Sequence, residues 1–279
     1  MAIPIEELKN KIVYSYDNKN IYYKDIVETI RNAGVKQGDT ICVHADLAVF
    51  GKLGEIIDRC DFVNVFIEAF LEVLGKDGTI ITPAYSYSFC NNEIYDPDTS
   101  IAKAGLFSEE FRKRNDAYRS LNPIFSVAAI GRKAKELTTN LSKNSFGKGS
   151  VFDKLQDIKN SKYVIVGVNY FVCTHVHYIE RMAKVPYRYI KKFKGKIRHK
   201  GKTYEDEYEF YVRHLNINTN PTFDKIENHL IKLGLLKKAP LGGDFISCAK
   251  ISDIYREGME MLKKDPLFFL KNMPEYDKL

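Results

Sequence analysis

The residues best suited to chemistry lie at 164–180, where a buried apolar run is followed by polar groups. His177 and Glu180 stand three positions apart, so on a helix they share one face and the carboxylate can fix the tautomer of the imidazole. An imidazole held in this way can act as a general base, and we expect the carboxylate to raise its pKa into a useful range. The same spacing is also common in ordinary surface pairs, so the surrounding pattern has to decide.

The same stretch offers ligands for a metal. Cys173, His175 and His177 alternate along the chain, and sulfur and imidazole ligands suit zinc. On a helix, however, His175 leaves the face that Cys173 and His177 share, and no second group of ligands occurs at a recognisable spacing. The sequence therefore favours a site without metal.

A strand and the helix after it would position these side chains. Residues 163–168 form a short β-branched apolar run, which predicts a buried strand. The next helix is expected to begin near Thr174, whose hydroxyl can cap it. Because active sites of α/β proteins gather beyond the carboxyl ends of strands, this position favours the catalytic interpretation of the pair.

Helices and strands alternate through the part of the chain that precedes this stretch. Apolar periodicity and capping residues predict helices at 23–33, 62–74 and 106–114, and strands at 40–44, 79–82 and 125–130. Short apolar strands between amphipathic helices indicate a largely buried sheet with helices on both faces.

A different pattern begins at Lys191. Basic residues alternate with others, and an acidic and aromatic stretch follows at 204–211, so a hairpin turning near 200–201 is predicted. Side chains of a strand alternate between its two faces. One face of the hairpin is therefore expected to carry the cations Lys192, Lys194, Lys196, Arg198, Lys200 and Lys202.

Length and composition bound the class of protein. The 279 residues, 44% of them hydrophobic, suffice for one large domain, which we expect to span 1–279 with the hairpin as an insertion at about 188–212 and helices at 222–233 and 254–264. The 43 basic and 36 acidic side chains give a net charge of +7, which favours acidic small molecules over nucleic acid as partners.

Cysteine usage and hydropathy predict the compartment. The five cysteines are widely spaced and form no C-x-x-C motif, which is typical of reduced thiols. The sequence shows no secretory signal and no apolar stretch long enough to cross a membrane. We therefore expect a cytoplasmic protein.

Three familiar catalytic motifs are missing from the sequence. The F-G-K-G-S stretch at 146–150 lacks the order and spacing of a phosphate-binding P-loop, and no G-x-G-x-x-G follows a strand. No G-x-S-x-G nucleophile elbow occurs either. These absences argue against nucleotide triphosphate hydrolysis, hydride transfer on a Rossmann fold and an ordinary α/β-hydrolase.

A series of ordered motifs, running from about residue 20 to the C-terminus, resembles the aminoglycoside 3-N-acetyltransferase family. One of them is V-H-A-D-L-A-V-F-G, and another is the G-V stretch that leads to Thr174, His177 and Glu180. In chain order the motifs lie at 43–51, 82–85, 95–97, 119–131, 146–155, 167–180 and 265–270. A set of motifs in one order is far more specific than any single one.

The resemblance implies a fold and a reaction. The fold is a three-layer α/β/α architecture, here expected to have a mixed, largely buried sheet and an added β-hairpin near 191–211. The reaction is transfer of an acetyl group from acetyl-CoA to an amine, with no metal. By the same resemblance, the histidine matching His177 is the catalytic base and the glutamate matching Glu180 supports it.

Chemical need agrees with this assignment. An amine is mostly protonated at neutral pH, so an imidazole that accepts a proton can free its lone pair. A thioester is already activated, so no covalent enzyme intermediate is required, and the protein mainly positions the amine and stabilises an oxyanion. On position alone, Thr174 and the backbone amides of 167–169 are candidates for the oxyanion donors.

The family's coenzyme-side loop corresponds to 44–51, where a loop leaving a strand can present N–H groups to phosphate. Ala45 and Asp46 replace family serines, which removes hydroxyl donors and adds a negative charge, and Asn122 replaces a family histidine and cannot take a proton. Leu47 and Phe50 can equally be packing residues beneath the loop. The residues expected to bind the coenzyme are His44, Ala45, Asp46, Leu47, Phe50, Gly51 and Ser126.

The charge pattern of the sequence bears on the chemical class of the acceptor. Aminoglycosides are polycations whose sites need carboxylates, whereas the clearest charge feature of this chain is the row of cations between Lys192 and Lys202. An amino sugar carried on a nucleotide or another anionic group, of the kind used in surface-glycan synthesis, therefore fits better, because these lysines can attract phosphates. The row can equally be a solvated edge strand.

Two other functions stay open on the sequence. One is acetylation of an aminoglycoside, as in antibiotic resistance. The other is a non-catalytic binding protein on the same fold, which the replacements at Ala45, Asp46 and Asn122 suggest.

Overall fold

The structure, a computed structural model, describes residues 3–168 and 172–276. In chain order its strands are β1 (Tyr14–Tyr16), β2 (Lys19–Ile21), β3 (Thr40–Ala45), β4 (Lys52–Leu53), β5 (Thr79–Pro83), β6 (Tyr118–Arg119), β7 (Val127–Gly131), β8 (Ser161–Val166), β9 (Arg188–His199), β10 (Lys202–Arg213), β11 (Leu236–Leu241) and β12 (Asp244–Lys250). Its helices are α1 (Ile5–Leu8), α2 (Tyr23–Asn32), α3 (Arg59–Leu74), α4 (Leu106–Arg112), α5 (Ala134–Thr138), α6 (Val151–Asp157), α7 (His175–Ala183), α8 (Asp224–Lys232) and α9 (Ile251–Lys264), with a 3-10 turn at Phe89–Asn91.

A mixed sheet of seven strands runs through the centre of the molecule in the order β11-β12-β8-β3-β5-β7-β6. Strands β8, β3 and β5 are parallel neighbours, and the strands outside them are antiparallel. The chain leaves β3 to form β5 on one side, whereas β8 later joins β3 on the other side. The carboxyl ends of β3 and β8 therefore flank a crevice of the kind in which α/β proteins bind ligands.

Helices cover both faces of this sheet because its strands send alternate apolar side chains in opposite directions. In β8, Val164 and Val166 belong to the core that α2, α3 and α4 cover. Tyr163 and Ile165 belong to a second core, which α6, α7 and α9 cover. The predicted three-layer α/β/α fold with a mixed, largely buried sheet is confirmed.

Strands β9 and β10 form the predicted hairpin as a separate two-stranded sheet. Lys200 and Gly201 form its turn with positive φ angles of 51° and 73°, which a tight two-residue hairpin turn requires. The expectation that six cations share one face is wrong, because Lys200 lies in the turn. Lys202 pairs with His199 and therefore shares that residue's face, opposite the face of Lys196.

Carboxylates on β10 balance three of the four remaining cations of the hairpin, whereas Arg198 lies across from Thr203. Three lysines of β9 lie directly across from three glutamates of β10, in the pairs Lys192↔Glu209, Lys194↔Glu207 and Lys196↔Glu205. Glu207 also forms ion pairs with Lys192 at 2.9 Å and with Lys194 at 3.7 Å. The row is thus one half of a cross-strand ladder, so it gives little support to an anion-binding function.

Strands β11 and β12 are the main elements that the sequence analysis did not predict. β12 is central to the sheet because it pairs with β8, while β11 is the edge strand, where Pro240 costs no ladder hydrogen bond. The helix after them begins at Ile251 instead of Ile254.

Crossing a bilayer requires a helix that is both long and apolar. No helix among the described residues combines the two properties. None of the five cysteines, all of which lie among the described residues, forms a disulfide.

Candidate active site

The candidate site lies beyond the carboxyl ends of β3 and β8, where the strand order reverses. His44 sits near the end of β3, and the chain that leaves β8 leads into helix α7, which begins at His175. Gly167 follows β8 with a φ of +66°, and a Cβ added there would lie 2.3 Å from the carbonyl oxygen of Asp46. Glycine therefore allows the loops after the two strands to touch.

Helix α7 carries the predicted pair on one face. The Nδ1 atom of His177 lies 2.7 Å from Oε2 of Glu180, as the three-residue spacing predicts. Nη2 of Arg188 also lies 3.1 Å from Nδ1, but the carboxylate is closer, and because an ionised carboxylate can only accept a hydrogen bond we assign the proton to Nδ1. The lone pair of Nε2 is then left to accept a proton from a substrate.

Two residues that the sequence analysis missed hold Glu180 in place. The hydroxyl of Tyr187 donates to Oε1 at 2.8 Å, and the guanidinium of Arg188 lies 2.8 Å from Oε2. Glu180 is fully buried, which by itself would raise its pKa, but Arg188 and the hydrogen bonds from His177 and Tyr187 outweigh burial and lower the pKa to about 2. The carboxylate is therefore ionised at neutral pH.

The pKa of His177 is lowered, contrary to the expectation that Glu180 would raise it. Burial is the largest cause and the charge of Arg188 is the next, and together they outweigh the opposite effect of Glu180. The ring is 20% exposed and packs edge-on against Phe146 and Phe223. The imidazole is thus neutral at neutral pH, which is the form that a general base needs.

A buried hydrogen-bond chain links the end of β3 to the start of α7. The hydroxyl of Tyr163 lies 2.7 Å from Nε2 of His44 and accepts the backbone N–H of Thr174 at 2.8 Å. Burial lowers the pKa of His44 to about 3, so this histidine is neutral. The backbone carbonyl of Thr174 in turn accepts the N–H of His177 at 3.0 Å.

Thr174 does not act as the side-chain cap that the sequence suggested. Its hydroxyl donates to the carbonyl of Val172 at 3.3 Å, so it is turned away from the helix N–H groups. Among the predicted oxyanion donors, the N–H groups of Thr174 and Gly167 are bonded within the fold, the latter to the carbonyl of Phe245 at 3.1 Å. Asn169, another of those candidates, lies outside the described residues.

A cavity of about 640 Å³ opens beside this network, between the ends of β3 and β8 and the start of α3. Four of the predicted coenzyme residues line it: His44, Ala45, Asp46 and Leu47. Val168 and Val172, on the two sides of the undescribed segment, line it as well, whereas His177 does not. Much of the remaining wall is apolar: Leu53, Ile56, Ile57, Phe62, Leu106 and Phe107.

Three of the predicted coenzyme residues make structural contacts and are not part of the cavity wall. Phe50 is fully buried and packs against aromatic rings of the core. Gly51 passes so close to β1 that an added Cβ would lie 2.7 Å from the carbonyl oxygen of Ser15. The buried hydroxyl of Ser126 donates to the carbonyl of Ala84.

The alternating cysteine and histidines do not form a cluster in this fold. His175 is fully buried, with its ring against Phe152 and Tyr178 and its Nε2 3.3 Å from Gln156. Over residues 3–168 and 172–276, no group of three or more histidine, cysteine or carboxylate side chains is arranged to hold a metal ion.

The fold and the site together define an α/β protein that has an oriented histidine on α7 and a cavity at a strand switch point. The chain belongs to the aminoglycoside 3-N-acetyltransferase family, whose family model matches residues 42–263. It is thus an acyltransferase of the acetyl-CoA-dependent N-acetyltransferase class.

Individual relatives agree with this assignment. Aminoglycoside N(3)-acetyltransferase IV of a Salmonella species is 28% identical over 250 residues, which cover 88% of this chain and 89% of that protein. The apoenzyme crystal structure of aminoglycoside acetyltransferase AAC(3)-IVa is 26% identical, with a TM-score of 0.74, and covers 90% of this chain and 91% of its own. The structure of AAC-IIIb with CoASH has the same fold, with a TM-score of 0.74 at 22% identity over 90% of this chain and 98% of its own.

Proposed function

We propose that this protein transfers the acetyl group of acetyl-CoA to the amine of an amino sugar, with His177 as the general base. The observation that carries the proposal is the His177–Glu180 pair, in which the carboxylate is ionised and the imidazole is neutral and oriented. Acetyl-CoA supplies an acyl group that its thioester has already activated. The protein then has to hold the amine and remove its proton.

The residues of the site have distinct tasks in this scheme. Nε2 of His177 takes the proton that the amine loses as its nitrogen bonds to the acetyl carbon and the carbon–sulfur bond breaks. Glu180 keeps Nδ1 protonated, and Tyr187 and Arg188 fix Glu180. Leu47, with the other apolar residues of the cavity wall, fits the uncharged pantetheine arm of the coenzyme.

Charge close to the base favours an acceptor that carries an anionic group. Arg188 and Arg213 lie directly across from each other in the hairpin, and like charges in that position repel. Arg188 is compensated by Glu180, whereas the guanidinium of Arg213 is bonded to neutral oxygens, those of Thr219 at 3.3 Å and Asn220 at 3.2 Å. Arg213 is also near enough to lower the pKa of His177, so a phosphate there would offset the repulsion.

The names of the relatives favour a second candidate, an aminoglycoside acceptor. The Salmonella protein is named as an aminoglycoside N(3)-acetyltransferase, and AAC(3)-IVa has been solved with a gentamicin and with apramycin. The hairpin lysines, which argued against a polycation, are matched by glutamates and no longer weigh against it. A non-catalytic role is not favoured, because Asn122, one of the replacements behind it, uses its side chain to accept two N–H groups of its own turn.

A thiol-release assay with acetyl-CoA tests the proposal and its alternative. We expect turnover with a uridine-diphosphate-linked amino sugar, and a fall of roughly 100-fold or more in His177→Ala. His229→Ala is the matched control, since His229 forms a similar pair with Glu257 on the surface. Near-normal turnover in His177→Ala would dismiss this residue as the base.

Substitutions at Arg213 distinguish the two candidate acceptors. Arg213→Gln should lower kcat/KM for the nucleotide-linked sugar by about 10-fold and leave an aminoglycoside such as sisomicin unaffected, whereas Arg213→Lys should retain much of the activity. Strong turnover of sisomicin with none of the nucleotide-linked sugar would replace the first candidate by the second.

A further inference from the structure

Among the described residues that line the cavity at the switch point, two are charged at neutral pH, and they have opposite signs. They are Asp46 and Arg59, because His44 is neutral. Arg59 is the first residue of α3 and is exposed, and its side chain forms no ion pair or hydrogen bond with any other residue in the part of the chain that the structure describes. The carboxylate of Asp46 accepts the N–H of Ala48 at 3.0 Å and so shapes its own loop.

The interior and the rim of the cavity suit different parts of coenzyme A. Phe62 and Ile56 are buried, so the apolar interior suits the uncharged pantetheine arm, whereas the phosphorylated end has to remain near water. Ile57 and Leu53, which are 87% and 56% exposed, mark the rim of the cavity. Arg59 lies two residues beyond Ile57 and lines the same cavity, so its guanidinium is available where the phosphates leave the interior.

We infer that Arg59 binds a phosphate group of coenzyme A at this rim and that Asp46 weakens the same interaction. A guanidinium presents paired N–H donors that match phosphate oxygens, and no existing ion pair has to break before Arg59 can use them. Asp46 adds a like charge to the surroundings of the phosphate, where the family has a serine. This inference rests on acetyl-CoA as the donor, but it does not depend on the acceptor.

Calorimetric binding of coenzyme A and of pantetheine, with no acceptor present, tests the inference. Arg59→Met should weaken coenzyme A binding by about 10-fold, and Asp46→Asn, which keeps the turn oxygen, should strengthen it by roughly 2-fold. Neither change should alter pantetheine binding, because pantetheine has no phosphate. Lys52→Met is the matched control: it removes a nearby exposed cation that does not line the cavity, and should leave both affinities unchanged.

Two further binding measurements, one at varied ionic strength and one with dephospho-coenzyme A, show whether the contact is ionic and which phosphate it involves. Coenzyme A affinity should fall with ionic strength less steeply in Arg59→Met than in the wild type, because one screened contact is gone. If the 10-fold loss disappears with dephospho-coenzyme A, the partner of Arg59 is the ribose phosphate, and if the loss persists, the partner is the pyrophosphate.

Other outcomes would overturn the inference. Unchanged coenzyme A affinity in Arg59→Met would do so, and so would an equal loss for pantetheine, which would show that Arg59 acts on the shape of the cavity. Weaker binding in Asp46→Asn would refute the opposing role of that carboxylate. If the wild type binds coenzyme A but acetylates no amine, the proposed function fails and the inference stands; if it binds no coenzyme A, both fail.

Discussion

Replacing Glu180 by glutamine removes the charge that holds the proposed catalytic pair together while nearly preserving the shape of the side chain. Burial would raise the pKa of this carboxyl, yet Arg188 and the hydrogen bonds from His177 and Tyr187 lower it from 4.5 to about 2. That difference corresponds to roughly 3 kcal/mol of stability. We expect Glu180→Gln to lower the free energy of unfolding at pH 7 by about this amount.

The pH dependence of this loss has a definite sign. Because the folded-state pKa of Glu180 is depressed, its contribution is fully present above about pH 4.5 and is lost as the pH falls toward about 2. The part of the stability difference between the wild type and Glu180→Gln that comes from the titration of Glu180 should therefore be constant between about pH 7 and pH 5. It should shrink to about half by pH 3.

Urea denaturation followed by circular dichroism measures both quantities, since the chain has no tryptophan to report by fluorescence. Glu257→Gln is the matched control, because Glu257 is bonded to His229 at 2.9 Å but lies near the surface, and its loss should be at most about 1 kcal/mol. Turnover of Glu180→Gln should fall by less than that of His177→Ala. Equal losses in the two glutamine variants, or a difference that does not change with pH, would refute the reasoning.

Three further changes test other parts of the site and its frame. Arg188→Met should move the acid limb of the kcat/KM profile to higher pH, because Arg188 lowers the pKa of the His177 imidazole. Arg188→Lys keeps the charge and should move the limb less. An acid limb that stays in place in Arg188→Met would contradict this prediction. Asp39→Asn leaves the buried ammonium of Lys162 unpaired, so denaturation should show a loss of about 3–5 kcal/mol that the added change Lys162→Met partly recovers. Gly167→Ala would push a Cβ against the carbonyl of Asp46, and the KM for acetyl-CoA should rise roughly 10-fold; an unchanged KM would show that this contact does not set the cavity.

The features that could be predicted from the sequence are those set by local patterns. The three-residue spacing of His177 and Glu180 fixes their contact as soon as α7 forms, and apolar β-branched residues make β8 a buried strand wherever it pairs. Lys200-Gly201 fixes the hairpin turn in the same way, because both residues need a positive φ. Each of these signals is complete within a few residues of the chain.

The features that escaped prediction depend on contacts between distant segments. Strand β12 belongs to the sheet because it pairs with β8, about 80 residues earlier in the chain, and its own sequence shows little alternation. The pKa of His177 could not be judged from Glu180 alone, because burial lowers it most and the charge of Arg188, the first residue of the hairpin, lowers it further. A signal was nonetheless present: Tyr187 and Arg188 follow α7 closely enough to fold back onto it.

Charge shows most clearly why a whole-chain property is a weak guide to one site. The net charge of +7 and the row of hairpin lysines both suggested an anionic partner, yet carboxylates on β10 neutralise that row. Under the proposed function, the charge that bears most directly on the acceptor is that of the Arg213 guanidinium, which lies across the hairpin from Arg188 and lowers the pKa of His177 together with burial and Arg188. Glu180 pairs with Arg188, whereas no described carboxylate forms an ion pair with Arg213, so under the proposed function the acceptor would meet the charge of Arg213 near the base. An anionic group on the acceptor would lower the electrostatic free energy of binding beside this charge, whereas each additional ammonium group would raise it.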